Sequence, residues 1–416
     1  MQGAKPFNID RWLIFEAFKS VKSNKGSAGI DGVTIEQYEA NLKQNLYKLW
    51  NRMSSGSYLP KSVRLVEIPK SNGGKRPLGI PTVEDRIAQM AAVKMISPIL
   101  EPNFHDDSYA YRPNRSAHHA LAKARTRCWE YDWVLDMDIS KFFDTIDHEL
   151  LMKAVKCHIQ ERWVLLYIER WLKVSYETLD GKVTEREMGV PQGSVIGPVL
   201  ANLFLHYCFD KWMTIHHPEI PFERYADDTI CHCRTKYEAE TLNAELRKRF
   251  AQCKLKLNEE KTKIVYCKDN RRRGYHDQIS FDFLGYTFRP RKTMNKAQHK
   301  AFTRFLPAIS NKSKKKIKDE IRSWNLRSKA HTPLDLIAKY TNPVIKGWMN
   351  YYGKFEPMEM KLVMMGLNVT LAQWAKAKYK HFRRKPWIVA YKWLGDIARR
   401  SPMFYHWQLG VYPKNV

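Results

Sequence analysis

No run of eighteen apolar residues occurs in this 416-residue chain, so no membrane-spanning helix is expected. The opening residues, MQGAKPFNIDRW, lack the apolar stretch of a secretory leader. Cysteine is sparse: seven residues, scattered, with no CxxC pair. That spacing offers neither a zinc cluster nor a disulfide framework, and a reducing, cytoplasmic setting is expected. Cys231 and Cys233 flank His232, which strand alternation explains better than a metal site does. No internal repeat is found.

Acidic residues are the minority charge, 43 Asp and Glu against 71 Lys and Arg, leaving +28 and a pI near 9.7. Such an excess points to a polyanionic partner, above all nucleic acid. It is also unevenly spread, since residues 301–416 hold 23 Lys/Arg against 6 Asp/Glu. Trp324, Trp348, Trp374, Trp387, Trp393 and Trp407 lie in that same stretch. Basic chains follow phosphates and flat rings stack on bases, although many of these tryptophans also suit a helical core. The lysine run NKSKKKIK reads by itself as a solvated helix face.

Length suggests two or three domains. Residues 8–50 read as helical pieces around the turn-rich NKGSAGIDG (24–32). A strand over 62–69 leads into a glycine-rich basic loop, KSNGGKRPLGIP (70–81), and a helix over 83–101. Residues 132–139 read as a buried strand, 148–159 and 161–172 as helices, and 176–187 as a hairpin around Asp180-Gly181. The loop GVPQGSVIGP (189–198) opens a helix over 199–212. A hairpin around Asp227 follows, then a helix over 236–255 and strands over 262–267 and 279–288. After Pro290 the pattern turns helical, with helices over 311–324, 333–355 and 359–382, and Pro386 starts a short tail.

Two carboxylates, Asp227 and Asp228, sit side by side at the hairpin tip in FERYADDTICHC (222–233). Turn aspartates are ordinarily solvated surface residues. These are flanked by strand-forming residues, and adjacent like charges held in a packed hairpin repel unless a cation neutralises them. A third carboxylate, Asp138, lies late in the apolar strand DWVLDMDI (132–139), where an acidic residue is unusual. If that strand lies beside the hairpin, the three meet around metal, and carboxylates suit Mg²⁺ bound together with substrate phosphates. Two such ions can activate a 3′-hydroxyl and stabilise a leaving pyrophosphate.

The order of the segments resembles that of group II intron-encoded reverse transcriptase/maturases. The resemblance is carried by LDMDISKFFDTIDH (135–148), GVPQGSVIGPVLANL (189–203), RYADD (224–228), LNEEKTKIVY (257–266) and DFLGYTF (282–288). IPKSNGGKRPLGIPTVEDR (68–86), SYAYRPNRSAHHAL (108–121), NKGSAGIDGVT (24–34) and GWMNYYGKF (347–355) add to it. Together they cover about residues 10–385.

The resemblance implies an α+β right-hand polymerase: fingers and palm with an antiparallel palm sheet plus helices, and a helical thumb or maturase domain. The implied divisions are an N-terminal extension (1–60), fingers and palm (61–290), thumb (291–385) and a short basic-aromatic tail (386–416). For the tail, DNA contact and a structural cap both stand open. Asp138, Asp227 and Asp228 are implied as ligands of two Mg²⁺ ions, with the Ile139 carbonyl, and Lys261 as the acid for the leaving pyrophosphate.

Lys70 and Arg76 would grip the incoming dNTP's triphosphate, where an ordinary basic turn is the plain alternative. Phe143 would pack under its sugar, Gln192 along the nascent base pair, and Gly193 would admit the backbone closely. Phe142 and Phe143 cannot be told apart by periodicity. Arg112, Gly285 and Tyr286 are placed with template and primer, Arg112 as an anchor of the fingers with a structural salt bridge as the equal alternative. Lys314, Lys315, Lys316, Arg383 and Arg384 are the RNA-binding candidates. Asp136 and Asp144 are read as structural.

PQGSVIGP departs from the family's PQGxxxSP by Gly197 and Ser194. No Cys/His-containing HNH endonuclease spacing is present, so no intrinsic DNA cleavage is expected. The expected partners are group II intron RNA, an RNA template, a DNA primer or target DNA, and dNTPs, with no membrane. Monomer and dimer are both open, and the expected place is the bacterial-type cytoplasm, at the nucleoid when on target DNA. Two other readings remain: a host-adopted or defence-associated reverse transcriptase, and an RNA-binding splicing factor without polymerase activity.

Overall fold

The computed structural model describes residues 5–69, 74–272, 274–295 and 300–413. Along the chain, the elements that matter for the site begin with α1 (Arg11–Ser23), β1 (Val63–Pro69), β2 (Lys75–Ile80) and α2 (Val83–Leu100). Next come α3 (Ala117–Glu130), β3 (Trp133–Met137), α4 (Gly197–Leu205), β4 (Phe222–Tyr225), β5 (Asp228–Cys233) and α5 (Lys236–Gln252). A second group completes the chain: β6 (Phe281–Phe283), β7 (Tyr286–Asn295), β8 (Lys300–Ile309), α6 (Asn311–Ser323), α7 (Leu334–Tyr352), α8 (Pro357–Lys378) and α9 (Trp387–Arg400). Among the described residues, no helix is long and apolar enough to cross a membrane.

The chain forms two compact units that do not follow chain order. One contains Met1–Ser116, Leu135–Cys231 and Tyr237–Thr262; the other contains Ala117–Val134, His232–Lys236 and Lys263–Val416. In the first unit, β1 and β2 pair antiparallel, from Arg64 opposite Ile80 to Pro69 opposite Lys75. Helix α2 starts at Thr82, whose hydroxyl accepts the Asp85 amide at 3.1 Å, a standard N-cap. Ile87, Ala88, Ala91, Ala92 and Ile96 then bury the helix almost all round. The hairpin β4–β5 runs beside β3, in the strand order β4-β5-β3.

The apolar helix α4 does not continue as one regular helix to Trp212. It passes into a π-helical turn, His206–Asp210, before a short helix over Lys211–His216. A π turn adds a residue and rotates the helix beyond it, and such turns recur at functional sites. Here it sets Asp210 beneath the hairpin.

The second unit departs from the helical pattern expected after Pro290. β7 and β8 instead form a long antiparallel hairpin, from Tyr286 opposite Ile309 to Asn295 opposite Lys300. Tyr286, Phe288, Phe305 and Ile309 share one face of this hairpin and are buried, while Arg289 on the other face, and Lys292 and Met294 nearer the hairpin's far end, are exposed. The strand period shows only at the base of the hairpin, where buried Phe288 is followed by exposed Arg289. Helices α6–α9 then build an apolar core around Trp374, Leu367, Leu371 and Leu394.

The stretch after Pro386 is part of that core. Phe404, Trp407 and Val411 are buried in it. Asn368 ties them down: its amide donates to the Val411 carbonyl at 3.0 Å, and its oxygen meets His406 Nε2 and Trp407 Nε1, each at 2.8 Å.

Candidate nucleotidyl-transfer site

Asp138 lies one residue past β3, whose residues Trp133, Val134, Leu135 and Met137 are buried. The chain is held there by the segment 256–262. The Asn258 amide donates to the Asp138 carbonyl and the Ser140 amide to the Lys256 carbonyl, both at 2.8 Å, with Ile139 opposite Leu257. That short ladder uses the carbonyl of Asp138 and the amide of Ser140, so the Ile139 carbonyl is not the group spent on it. The same segment supplies Lys261, whose Nζ stands 3.1 Å from Asp138 Oδ2 and 3.4 Å from Oδ1.

Asp227 and Asp228 come from the β4–β5 hairpin. Tyr225 pairs with Asp228, leaving Ala226 and Asp227 as the two connecting residues. Ala226 has φ +57°, the pattern of a type II′ turn, in which glycine is the usual residue. Holding an alanine there costs about 1–2 kcal/mol. The restraint comes from Arg224, whose Nη1 donates to the Ala226 carbonyl at 3.3 Å. The rest of that guanidinium is spent on a fully buried bidentate pair with Asp210, both bonds 2.6 Å, and on Asn202 Oδ1 at 3.1 Å. Burial works against the Asp210 charge, yet the Arg224 charge and hydrogen bonds, and then His206, hold its pKa below the ordinary value. Sequence reasoning missed this trio. Two charged residues, Glu223 and Arg224, inside a short buried strand were the available sign of it.

The three carboxylates feel one another. Burial raises the Asp227 pKa and the Asp138 charge adds to it, against its own backbone hydrogen bond, Arg76 and Lys261. Asp228 is exposed to solvent at the start of β5, although protein packs closely around it. Burial, then Asp227, then Asp138 push it up to about 6, with Lys261 opposing. Among the described residues, no three His, Cys, Asp or Glu side chains close to metal-ligand geometry. The donor set nevertheless fits a hard divalent cation: all-oxygen, mutually repelling and partly desolvated.

Beside this cluster, the loop after Gly189 packs against β2. The Gly79 amide donates to the Gln192 carbonyl at 2.7 Å. Arg76 Nε donates to Gln192 Oε1, and Gln192 Nε2 reaches Asp144 Oδ1 at 3.3 Å. Gly193 has φ +109°, and a Cβ there would sit 2.6 Å from the Gly79 carbonyl oxygen, so no side chain fits. Phe142 is buried and Phe143 half-buried, so of the two rings Phe143 keeps the more exposed surface. Lys70 lies outside the described residues.

Arg112 is an anchor. Its Nε meets Glu101 Oε1 at 2.9 Å and its Nη1 the carbonyls of His105 and Ser108, both at 2.6 Å, and the side chain is buried. The salt bridge left open as its alternative is therefore present.

In the second unit, Gly285 turns the chain between β6 and β7 at φ +80°. Its carbonyl accepts the Ser310 amide and the Ser313 hydroxyl, both at 3.0 Å. Tyr286 is buried and donates to the Tyr351 carbonyl. Lys315, Lys316, Arg383 and Arg384 are exposed. Lys314 is only half-exposed and pairs with Glu359, which also takes Arg291 at 2.9 Å.

Residues 68–288 match the family described as reverse transcriptase (RNA-dependent DNA polymerase), and residues 314–393 match the group II intron, maturase-specific domain. Protein YkfC of Escherichia coli (strain K12) is 36% identical over 314 residues, 66% of this chain and 79% of that protein. Group II intron-encoded protein LtrA of Lactococcus lactis subsp. cremoris is 30% identical over 254 residues. That alignment takes in 61% of this chain but only 41% of LtrA. Apo telomerase from Candida tropicalis superimposes with a TM-score of 0.43 at 13% identity, over 61% of this chain and 60% of that one. The polymerase match spans the hairpin of Asp227 and the strand of Asp138, the maturase match spans the helical unit, and the chain belongs to the group II intron-encoded reverse transcriptase/maturase family.

Proposed function

We propose that this chain extends a DNA primer along an RNA template, and that it binds the RNA of a group II intron to assist splicing and mobility by target-primed reverse transcription. In this reading residues 61–290 act as fingers and palm, 291–385 as the thumb, and 1–60 as an extension that joins the thumb in holding the RNA. Asp138, Asp227 and Asp228, with the Ile139 carbonyl, would hold two Mg²⁺ ions. When bound, these supply polarisation of the primer 3′-hydroxyl and neutralise charge on the leaving pyrophosphate.

The protein's own groups divide the remaining work. Arg76, oriented by Gln192, offers a planar fork to the triphosphate, together with Lys70. Phe143 forms the floor under the sugar. Gln192 and Gly193 border the nascent base pair. Lys261, held at Asp138, is placed to pass a proton to the departing pyrophosphate. Gly285 offers a close approach to the primer backbone, and the buried Tyr286 fixes that turn through Tyr351 rather than touching the primer itself. Arg112 stiffens the fingers, and Lys315, Lys316, Arg383 and Arg384 offer exposed charge to RNA phosphates, with Lys314 shared with Glu359.

The observation that carries this reading is the Asp227 hairpin, braced from below by Arg224, with its carboxyl raised in pKa by burial and then by the Asp138 charge. The test is the double substitution Asp227→Ala with Asp228→Ala, assayed by primer extension on a generic RNA template and by RNA affinity. Extension should vanish while RNA affinity stays within about threefold, since only cation-binding charge is removed. Undiminished extension would refute the assignment.

A further inference from the structure

Tyr111 stands in a position that a tyrosine should avoid. Its φ is +57°, a left-handed conformation that β-carbon sterics disfavour for a bulky residue, and its ring is 55% exposed. Strain of this kind persists only where the surroundings over-determine it, and it gathers at functional sites.

The surroundings do so here. On one side, Ala110 is fully buried and its carbonyl accepts the Asn202 amide at 2.7 Å. On the other, Arg112 is locked to Glu101, His105 and Ser108. Both anchors belong to the framework that carries the catalytic hairpin. The Tyr109 amide donates to the Arg224 carbonyl and the Arg224 amide to the Asp107 carbonyl, each at 2.9 Å. Asn202 also accepts from Arg224. One buried cluster thus fixes the Asp227 turn and the Tyr111 turn together.

The phenol also reports its neighbours. After desolvation, the charges of Asp227, Tyr225 and Asp228 raise its pKa, and Arg76 opposes them. The ring therefore lies within electrostatic reach of the candidate metal ligands and of the triphosphate-gripping arginine.

We propose that Tyr111 is a nucleotide-contacting residue of the polymerase site, its ring packing against the base and sugar of the incoming dNTP. This rests on the polymerase function proposed for the same site. A flat, half-exposed ring offers an apolar face that suits any of the four bases, and the anchored turn places it without further ordering on binding.

The test uses the full chain with single-nucleotide incorporation on an RNA template and DNA primer. Three variants, Tyr111→Ala, Tyr111→Phe and Tyr111→Gly, are compared with the unsubstituted protein. Loss of one base-stacking ring predicts about a tenfold rise in KM for dNTP in Tyr111→Ala, with kcat changing less. Tyr111→Phe, which keeps the ring, should shift KM less than Tyr111→Ala. Tyr111→Gly relieves the left-handed strain, so its thermal midpoint should hold or rise while KM worsens as in Tyr111→Ala. A merely structural tyrosine cannot give that opposed pair of changes. Unchanged KM in the folded Ala and Gly variants overturns the proposal. So does a weakened Kd for primer–template with KM for dNTP unmoved, which would assign the ring to the template instead. Absence of extension by the unsubstituted protein would overturn the polymerase reading itself, and this inference with it.

Discussion

Replacing Asp210 by alanine leaves the Arg224 guanidinium buried without its counter-charge. Both side chains are fully buried, and two 2.6 Å bonds join them beneath the Asp227 hairpin. Breaking such a pair by removing one partner costs about 3–5 kcal/mol, most of it the penalty of an orphaned charge. For a cooperative unit of this size that is a fall in melting temperature of roughly 6–20 °C. The informative comparison is the double variant Asp210→Leu with Arg224→Met. It leaves no buried charge, so it should be more stable than either single variant, although it loses twice the number of native groups. Urea unfolding followed by circular dichroism reads the stabilities, and primer extension reads function. Even where stability returns, the double variant lacks the Arg224 bond to the Ala226 carbonyl, and extension should stay well below that of the unsubstituted protein. If the two single effects simply add in the double variant, the pair is not acting as a buried ion pair and the bracing role assigned to it is wrong.

Acid should weaken the helical unit through His406. Burial depresses its pKa to about 3, against roughly 6.5 in an unfolded chain, so its neutral form is the folded one. Its stabilising contribution is therefore complete above pH 6.5 and falls by about 1.4 kcal/mol per pH unit between there and pH 3. Urea midpoints at pH 7.5 and pH 5 should differ more in the native protein than in His406→Phe, and equal differences would reject the assignment. Gly193→Ala forces a Cβ to 2.6 Å from the Gly79 carbonyl at a φ of +109°. It should cost at least about 1–2 kcal/mol and impair dNTP use, read as KM in extension assays. Gly285→Ala, at φ +80° with Ser313 Oγ 3.1 Å from the new Cβ, should cost a similar amount and weaken primer binding, measured by titration of labelled primer–template.

The strand and hairpin that carry Asp138, Asp227 and Asp228 were legible because their signals are local. A run of apolar residues ending in Asp138 and strand-formers on both sides of Asp227-Asp228 need only period and turn chemistry to be read. What brings Asp210 under Arg224 is not local. The π turn at His206–Asp210 inserts a rotation that hydrophobic periodicity over one turn does not register, and the partner lies fourteen residues away. Residues 291–309 misled for a different reason. They carry exposed basic residues such as Lys292 and Arg304, so β7 and β8 share the composition of the helices after them. Residues after Pro386 read as a tail because that proline marks a break in the helical pattern. Packing against α8, through Asn368, is what turns them into core.

The Gly285 turn carries a practical consequence for anyone exchanging parts between relatives. Its carbonyl is held by Ser310 and Ser313 at the start of α6, its flank by the Tyr351 hydroxyl on the Leu284 carbonyl at 2.9 Å, and Tyr351 in turn receives His118 from α3. A splice at 290/291 would cut through β7 and pair one parent's turn with another parent's clasp. Grafts that move residues 281–355 as a single cassette, together with a compatible α3, keep donor and acceptor matched.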